Sequence, residues 1–75
     1  MSKIIYRYFS RKYRPSDIPP IGDIINVVDY ETPVDSGNGK MMYGYIDYSL
    51  ALHPVNAEEY GLEYAPINPI TLPDA

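Results

Sequence analysis

The residue types that carry most enzyme chemistry are sparse in this sequence. Cysteine is absent, which removes thiolate nucleophiles, disulfide staples and thiolate zinc sites together. The single histidine, His53, is followed by Pro54 and has no nearby nucleophile or carboxylate to complete a triad. It reads as a surface residue at a strand end. Glu58 and Glu59 are neighbours on an expected helix and point in different directions, so they form no acid/base pair. Asp29 and Glu31 share a strand face and could converge, although carboxylates there more often mark the solvated end of a sheet. Asp35-Ser36-Gly37-Asn38-Gly39-Lys40 superficially resembles a phosphate-binding loop but lacks the following helix and the P-loop spacing. A tight turn explains it better. The chain therefore reads as a non-enzyme, with no metal site and no cofactor.

Binding chemistry is better represented. Tyr6-Arg7-Tyr8-Phe9-Ser10-Arg11-Lys12-Tyr13-Arg14 interleaves rings with cations, the composition of a surface that stacks bases and neutralises phosphates. Lys3, Arg7, Arg11, Lys12 and Arg14 are five of the six Lys and Arg residues, whereas all ten acids lie from Asp17 onward with Lys40 as their only counter-charge. Such a chain can lay a basic arm on its own acidic body or show a partner two faces of opposite sign. The acidic body would repel a polyanion, so direct nucleic-acid binding ranks second. The same acids could instead imitate a phosphate row and occupy a nucleic-acid groove on another protein.

At 75 residues the chain is read as one small domain, of a size that buries only about 60% of the surface its unfolded form exposes. Nine tyrosines accompany one Phe and no Trp. Tyrosine suits half-buried sheet surfaces and binding interfaces, being large and apolar with a polar tip. No apolar run approaches the ~20 residues of a membrane span, and no signal-peptide layout opens the sequence. A cytoplasmic location in a bacterial host is expected, with no membrane association.

The elements that must position these residues follow from pattern. Residues 4–10 are β-branched and aromatic and read as a strand; prolines 15, 19 and 20 with Gly22 make 15–22 a loop. Residues 24–30 and 41–50 read as two more strands, the first fading at Pro33. Gly37-Asn38, closed by Ser36 opposite Gly39, suits a two-residue hairpin turn. Counting outward pairs Val27 with Tyr48, Ile25 with Leu50, Asp29 with Ile46 and Pro33 with Met42 on one side. The other side pairs Val28 with Asp47, Tyr30 with Tyr45 and Thr32 with Tyr43, giving a mainly aliphatic face and a tyrosine face. Along the first strand, Tyr6 and Tyr8 oppose Arg7 and Phe9, so the three rings cannot all be core. A helix of one or two turns is expected around 57–60, with Asn56 as N-cap, both glutamates in its first turn and Gly61 as a left-handed C-cap. Residues 62–65 could add an edge strand before a proline-rich extended tail at 66–75. The fold class is thus α+β or mainly β: a three- to four-stranded antiparallel sheet with one short helix.

Tyr6-Arg7-Tyr8-Phe9-Ser10, then Arg14-Pro15, then Gly44-Tyr45 inside an aromatic strand, then an acidic helix ending near Tyr60, resembles the small defence-against-restriction-related proteins of phages and conjugative elements of Gram-positive gut bacteria. The likeness covers about residues 4–65, with three residues between Ser10 and Arg14 where the family pattern has two. It implies a mobile-element origin and a role in countering host defence. The motif residues could equally be fold determinants, with Arg14 anchored on the sheet and Gly44 letting a ring cross the backbone. The expected function is a binding protein that inhibits a bacterial defence protein, such as a restriction or CRISPR effector, by blocking its surface. The alternative is a nucleic-acid or nucleotide-binding accessory protein that uses the basic aromatic segment. The residues expected at the partner interface are Arg11, Lys12 and Arg14 on the arm, Tyr30, Tyr43, Tyr45 and Asp47 on the tyrosine face, and Glu58 and Glu59 on the helix. Burying the tyrosine face against a second copy would stabilise so thin a core, so a homodimer is also expected.

Overall fold

A computed structural model describes residues 3–35 and 40–72, and side chains at 4–35 and 40–71. The chain forms strands β1 (Lys3–Ser10), β2 (Ile24–Asp35) and β3 (Met41–Tyr48), helix α1 (Pro54–Glu59), and short strands β4 (Leu62–Tyr64) and β5 (Ile70–Leu72). A single 3-10 turn spans Pro15–Asp17. The sheet is antiparallel in the order β2-β3-β1-β4, and β5 also pairs with β1. The expected class holds, with one strand more than anticipated, because residues 70–72 of the extended tail are paired rather than free.

Alternation sorts the central strands into two faces. Tyr8, Ile46, Tyr48 and Leu62 point to one side, where Ile18 of the proline-rich loop and Ala57 of α1 close over them as the main core. Tyr8 is 3% exposed and Tyr48 0%, so of the three rings on β1 it is Tyr8 that is core. Their rings meet edge to face at 5.6 Å, and the Tyr8 hydroxyl accepts the Leu52 N–H at 2.9 Å. The Tyr48 hydroxyl is buried without a hydrogen-bond partner among the described residues. Burial pushes its pKa up to about 12, because a phenolate would have to be desolvated.

The hairpin register differs from the expected one. Val27 pairs with Ile46 and Val28 with Tyr45, two residues from the anticipated partners, while nearer the turn Val34 pairs with Met42, one residue out. The cause is an irregularity between Asp29 and Val34, where β2 carries extra residues around Pro33, which can donate no ladder hydrogen bond. A two-residue shift preserves parity, so the tyrosine face survives the error. The Gly37-Asn38 turn itself lies outside the described residues. β3 ends at Tyr48 rather than at Leu50.

Gly44 carries the resemblance motif, and its role is conformational. It has φ +149, and a Cβ there would stand 2.1 Å from the Val28 carbonyl oxygen and 2.7 Å from Pro15 Cγ. The ring that lies against this backbone is therefore the pyrrolidine of Pro15, which is buried. Opposite Gly44 sits Ser10, fully buried, whose hydroxyl donates to the Tyr13 carbonyl.

The helix begins earlier than anticipated. His53, not Asn56, is the N-cap: its Nδ1 accepts the Val55 N–H at 3.2 Å, Pro54 occupies the first turn, and no acid lies there. Glu58 and Glu59 fall in the second turn instead. Gly61 does take the left-handed conformation, at φ +65, and the Lys12 side chain packs over it.

Candidate binding surface

The side of the sheet turned away from the main core carries Arg7 and Phe9 of β1 and Tyr45 and Asp47 of β3. Pairing sets Arg7 against Asp47 and Phe9 against Tyr45. The Arg7 guanidinium grips the Asp47 carboxylate with both arms, Nε to Oδ1 at 2.8 Å and the second arm to Oδ2 at 3.1 Å. This fork matches a planar carboxylate in a way a lysine could not. The Asp47 side chain is only 3% exposed, against 25% for Arg7. The hydrogen bond to Asp47 raises the Arg7 pKa further above its already high ordinary value.

The same guanidinium lies over the Tyr45 ring, 4.0 Å from its centroid, in a cation–π stack. Tyr45 then meets Phe9 edge to face at 6.5 Å and Tyr30 at 6.2 Å. Phe9, Tyr30, Tyr43 and Tyr45 are all half-buried. The result is an aromatic plate held by the Arg7–Asp47 ion pair.

Of the nine residues expected at an interface, this face unites Tyr30, Tyr45 and Asp47, with Tyr43 on the same strand. Asp47 supports the plate from below rather than reaching outward, since Arg7 covers it. Arg7 and Phe9 were not among the expected contacts. Alternation had already put them together on one side of the first strand, opposite Tyr6 and Tyr8; the missing signal was strand order, because only the adjacency of β1 and β3 brings them onto Tyr45.

The basic arm is elsewhere and is partly neutralised. Arg11 forms an ion pair with Glu63, a non-local partner that the run of the sequence did not suggest. Arg14 is 61% exposed and stands 3.8 Å from Asp29. Asp29 also accepts the Ser16 N–H at 3.0 Å, and its hydrogen bonds from Ser16, with Arg14 adding a smaller effect, hold its carboxyl below the usual range. It thus anchors the turn after the arm, while Glu31 is exposed. Lys12, Glu58 and Glu59 are exposed. Among the described residues no three metal-ligating side chains gather, and no helix is long and apolar enough to cross a membrane.

No protein-family profile matches the chain, and no curated protein or solved structure matches it either.

Proposed function

We propose that this chain is a non-catalytic binding protein of a phage or other mobile element that inhibits a bacterial defence protein by covering part of its surface, using the outer sheet face. The observation that carries this reading is the plate of Arg7, Tyr45, Phe9 and Tyr30. Tyrosine and arginine are the residue types that concentrate binding energy at interfaces, and here they are already ordered, so little rotamer freedom is lost on docking. A standard interface takes about 800 Å² from each partner, a modest share of the 4958 Å² this chain exposes. Blockade therefore needs no moving part and no chemistry. The mobile-element origin and the defence target rest on the resemblance of the Tyr6–Ser10, Arg14-Pro15 and Gly44-Tyr45 motifs, and a bacterial cytoplasmic setting follows from them.

The ion pairs of Arg11 with Glu63 and Arg14 with Asp29 weaken the nucleic-acid alternative, because they spend on the chain's own acids part of the charge that would neutralise phosphates. The experiment adds the purified chain to plasmid-cleavage reactions of a panel of restriction and CRISPR effectors. At physiological salt the chain protects the plasmid from at least one effector and does not itself retard DNA or RNA in a gel. Tight, salt-sensitive retardation by the chain alone would favour the alternative.

A further inference from the structure

The two edges of the sheet are treated differently. On one side β1 is covered by β4 and β5, three residues each, and Asn68 fills the gap between them with two side-chain bonds to the Arg7 backbone. On the other side β2 is 12 residues long and, among the described residues, pairs with β3 alone. None of its residues is buried. Even Val27, on the core side by its pairing with Ile46, is 39% exposed. An edge strand turns alternate N–H and C=O groups outward, a template that another chain can complete. Irregularities at both ends confine the regular ladder to Asn26–Asp29, which fixes where a short added strand would register.

Charge selects what can dock there. β2 carries Asp29, Glu31 and Asp35 and no Lys or Arg. Arg14 stands 3.8 Å from Asp29, and Glu31 is exposed. Pairing this edge with the same edge of a second copy would bring two sets of acids together, an arrangement that like charges oppose, in a chain already at −4. We propose that the β2 edge takes up an extended cationic segment of a partner protein as an added antiparallel strand. Alternation in that segment sets apolar side chains beside Val28 and Tyr30 and cations on the side of Asp29. The proposal names the partner's chemistry for the binding-protein reading and rests on it, since the added strand would lie next to Tyr30, whose ring meets Tyr45 of the aromatic plate.

The probe is a fluorescein-labelled heptapeptide of alternating Val and Lys, titrated onto the full chain by anisotropy at physiological salt and mapped by amide hydrogen exchange. One control alternates Val and Glu. The other keeps the Val and Lys but is N-methylated at every amide, so it retains the charge and loses the donors a ladder needs. The unmodified cationic peptide binds about tenfold or more tightly than either control and slows exchange at alternate amides within Asn26–Tyr30, leaving β4 and β5 unchanged. Glu31→Lys weakens it about threefold, as expected for one exposed charge. Equal binding by the methylated peptide, protection elsewhere on the chain, or no binding would overturn the proposal. So would protection of the β2 amides that rises with the concentration of the chain alone, which would assign the edge to a second copy. The assay contains no effector, so its failure leaves plasmid protection to be judged separately, and peptide binding without plasmid protection would count against the inhibitor reading alone.

Discussion

The side chain of Asn68 takes the place of a strand residue beside Arg7. Its Oδ1 accepts the Arg7 N–H at 2.8 Å and its Nδ2 donates to the Arg7 carbonyl at 2.7 Å. β4 pairs with Tyr8–Ser10 and β5 with Lys3–Ile5, so Arg7 falls where neither strand reaches. Asn68 closes the ladder at the residue whose side chain organises the aromatic plate. The Ala65 N–H also reaches the Arg7 carbonyl at 3.0 Å, leaving the Arg7 N–H as the group most dependent on Asn68.

Asn68→Ala should therefore destabilise the fold by about 1–3 kcal/mol, the cost of leaving a partly buried backbone donor unpaired. Urea denaturation of the variant measures it. A change within 0.5 kcal/mol, roughly what a neutral surface substitution gives, would show that the amide is incidental.

Removing one partner of the Arg7–Asp47 pair should cost more than removing both. Arg7→Leu strands the buried Asp47 carboxylate, at about 3 kcal/mol, whereas Arg7→Leu with Asp47→Leu should recover most of that loss. The double-mutant cycle reads the difference. Additive losses would mean that the pair is solvated rather than a buried support.

The outcome at β2 and β3 illustrates what the sequence carried. Alternation fixed which residues share a face, so Tyr30, Tyr45 and Asp47 were grouped correctly even though every cross-strand partner was displaced. The displacement came from the irregular stretch before Val34, where Pro33 signalled a weakness but not the number of extra residues. Strand order was not legible, because the Arg7–Asp47 and Phe9–Tyr45 pairings depend on contacts some 40 residues apart in sequence. His53 was missed as a cap because histidine ranks behind Asn in capping preference, although Pro54 directly after it marked the start of the helix. β5 was hidden by its prolines, which argued for an extended tail and said nothing of the β1 edge it would join.

Gly44 should tolerate no side chain. Gly44→Ala places a methyl against the Val28 carbonyl oxygen and the Pro15 ring in a conformation that L-residues rarely adopt, so a loss of at least ~3 kcal/mol is expected. Thermal unfolding of the variant checks it. A melting temperature within a few degrees of the parent would contradict the close approach of Pro15.

The buried hydroxyl of Tyr48, unpartnered among the described residues, should set the alkaline limit. Its pKa is raised in the fold to about 12, and burial raises that of Tyr8 as well, so the folded chain holds protons that the unfolded chain releases. Stability should be constant below the ordinary tyrosine range near pH 10 and fall as pH rises toward 12. Tyr48→Phe should flatten that fall and cost no stability at neutral pH, because no hydrogen bond is lost. Asp29 acts at the other end: its lowered pKa contributes stability above the carboxylate range that disappears as pH falls through it. Denaturation midpoints of parent and Tyr48→Phe across pH 8–12 decide the first point, and parallel curves would contradict it.

We propose the aromatic plate as the surface that would meet an inhibited protein. The most direct measurement is the affinity of folded Tyr45→Ser for the effector that the parent chain inhibits, set beside Arg11→Ala with Lys12→Ala on the arm. Tyr45 behaves as an interface anchor if its loss weakens binding by tenfold or more, on the order of 1.4 kcal/mol, with the arm variant binding like the parent. Unchanged binding by Tyr45→Ser, with loss in the arm variant, would place the interface on the basic segment and contradict the account.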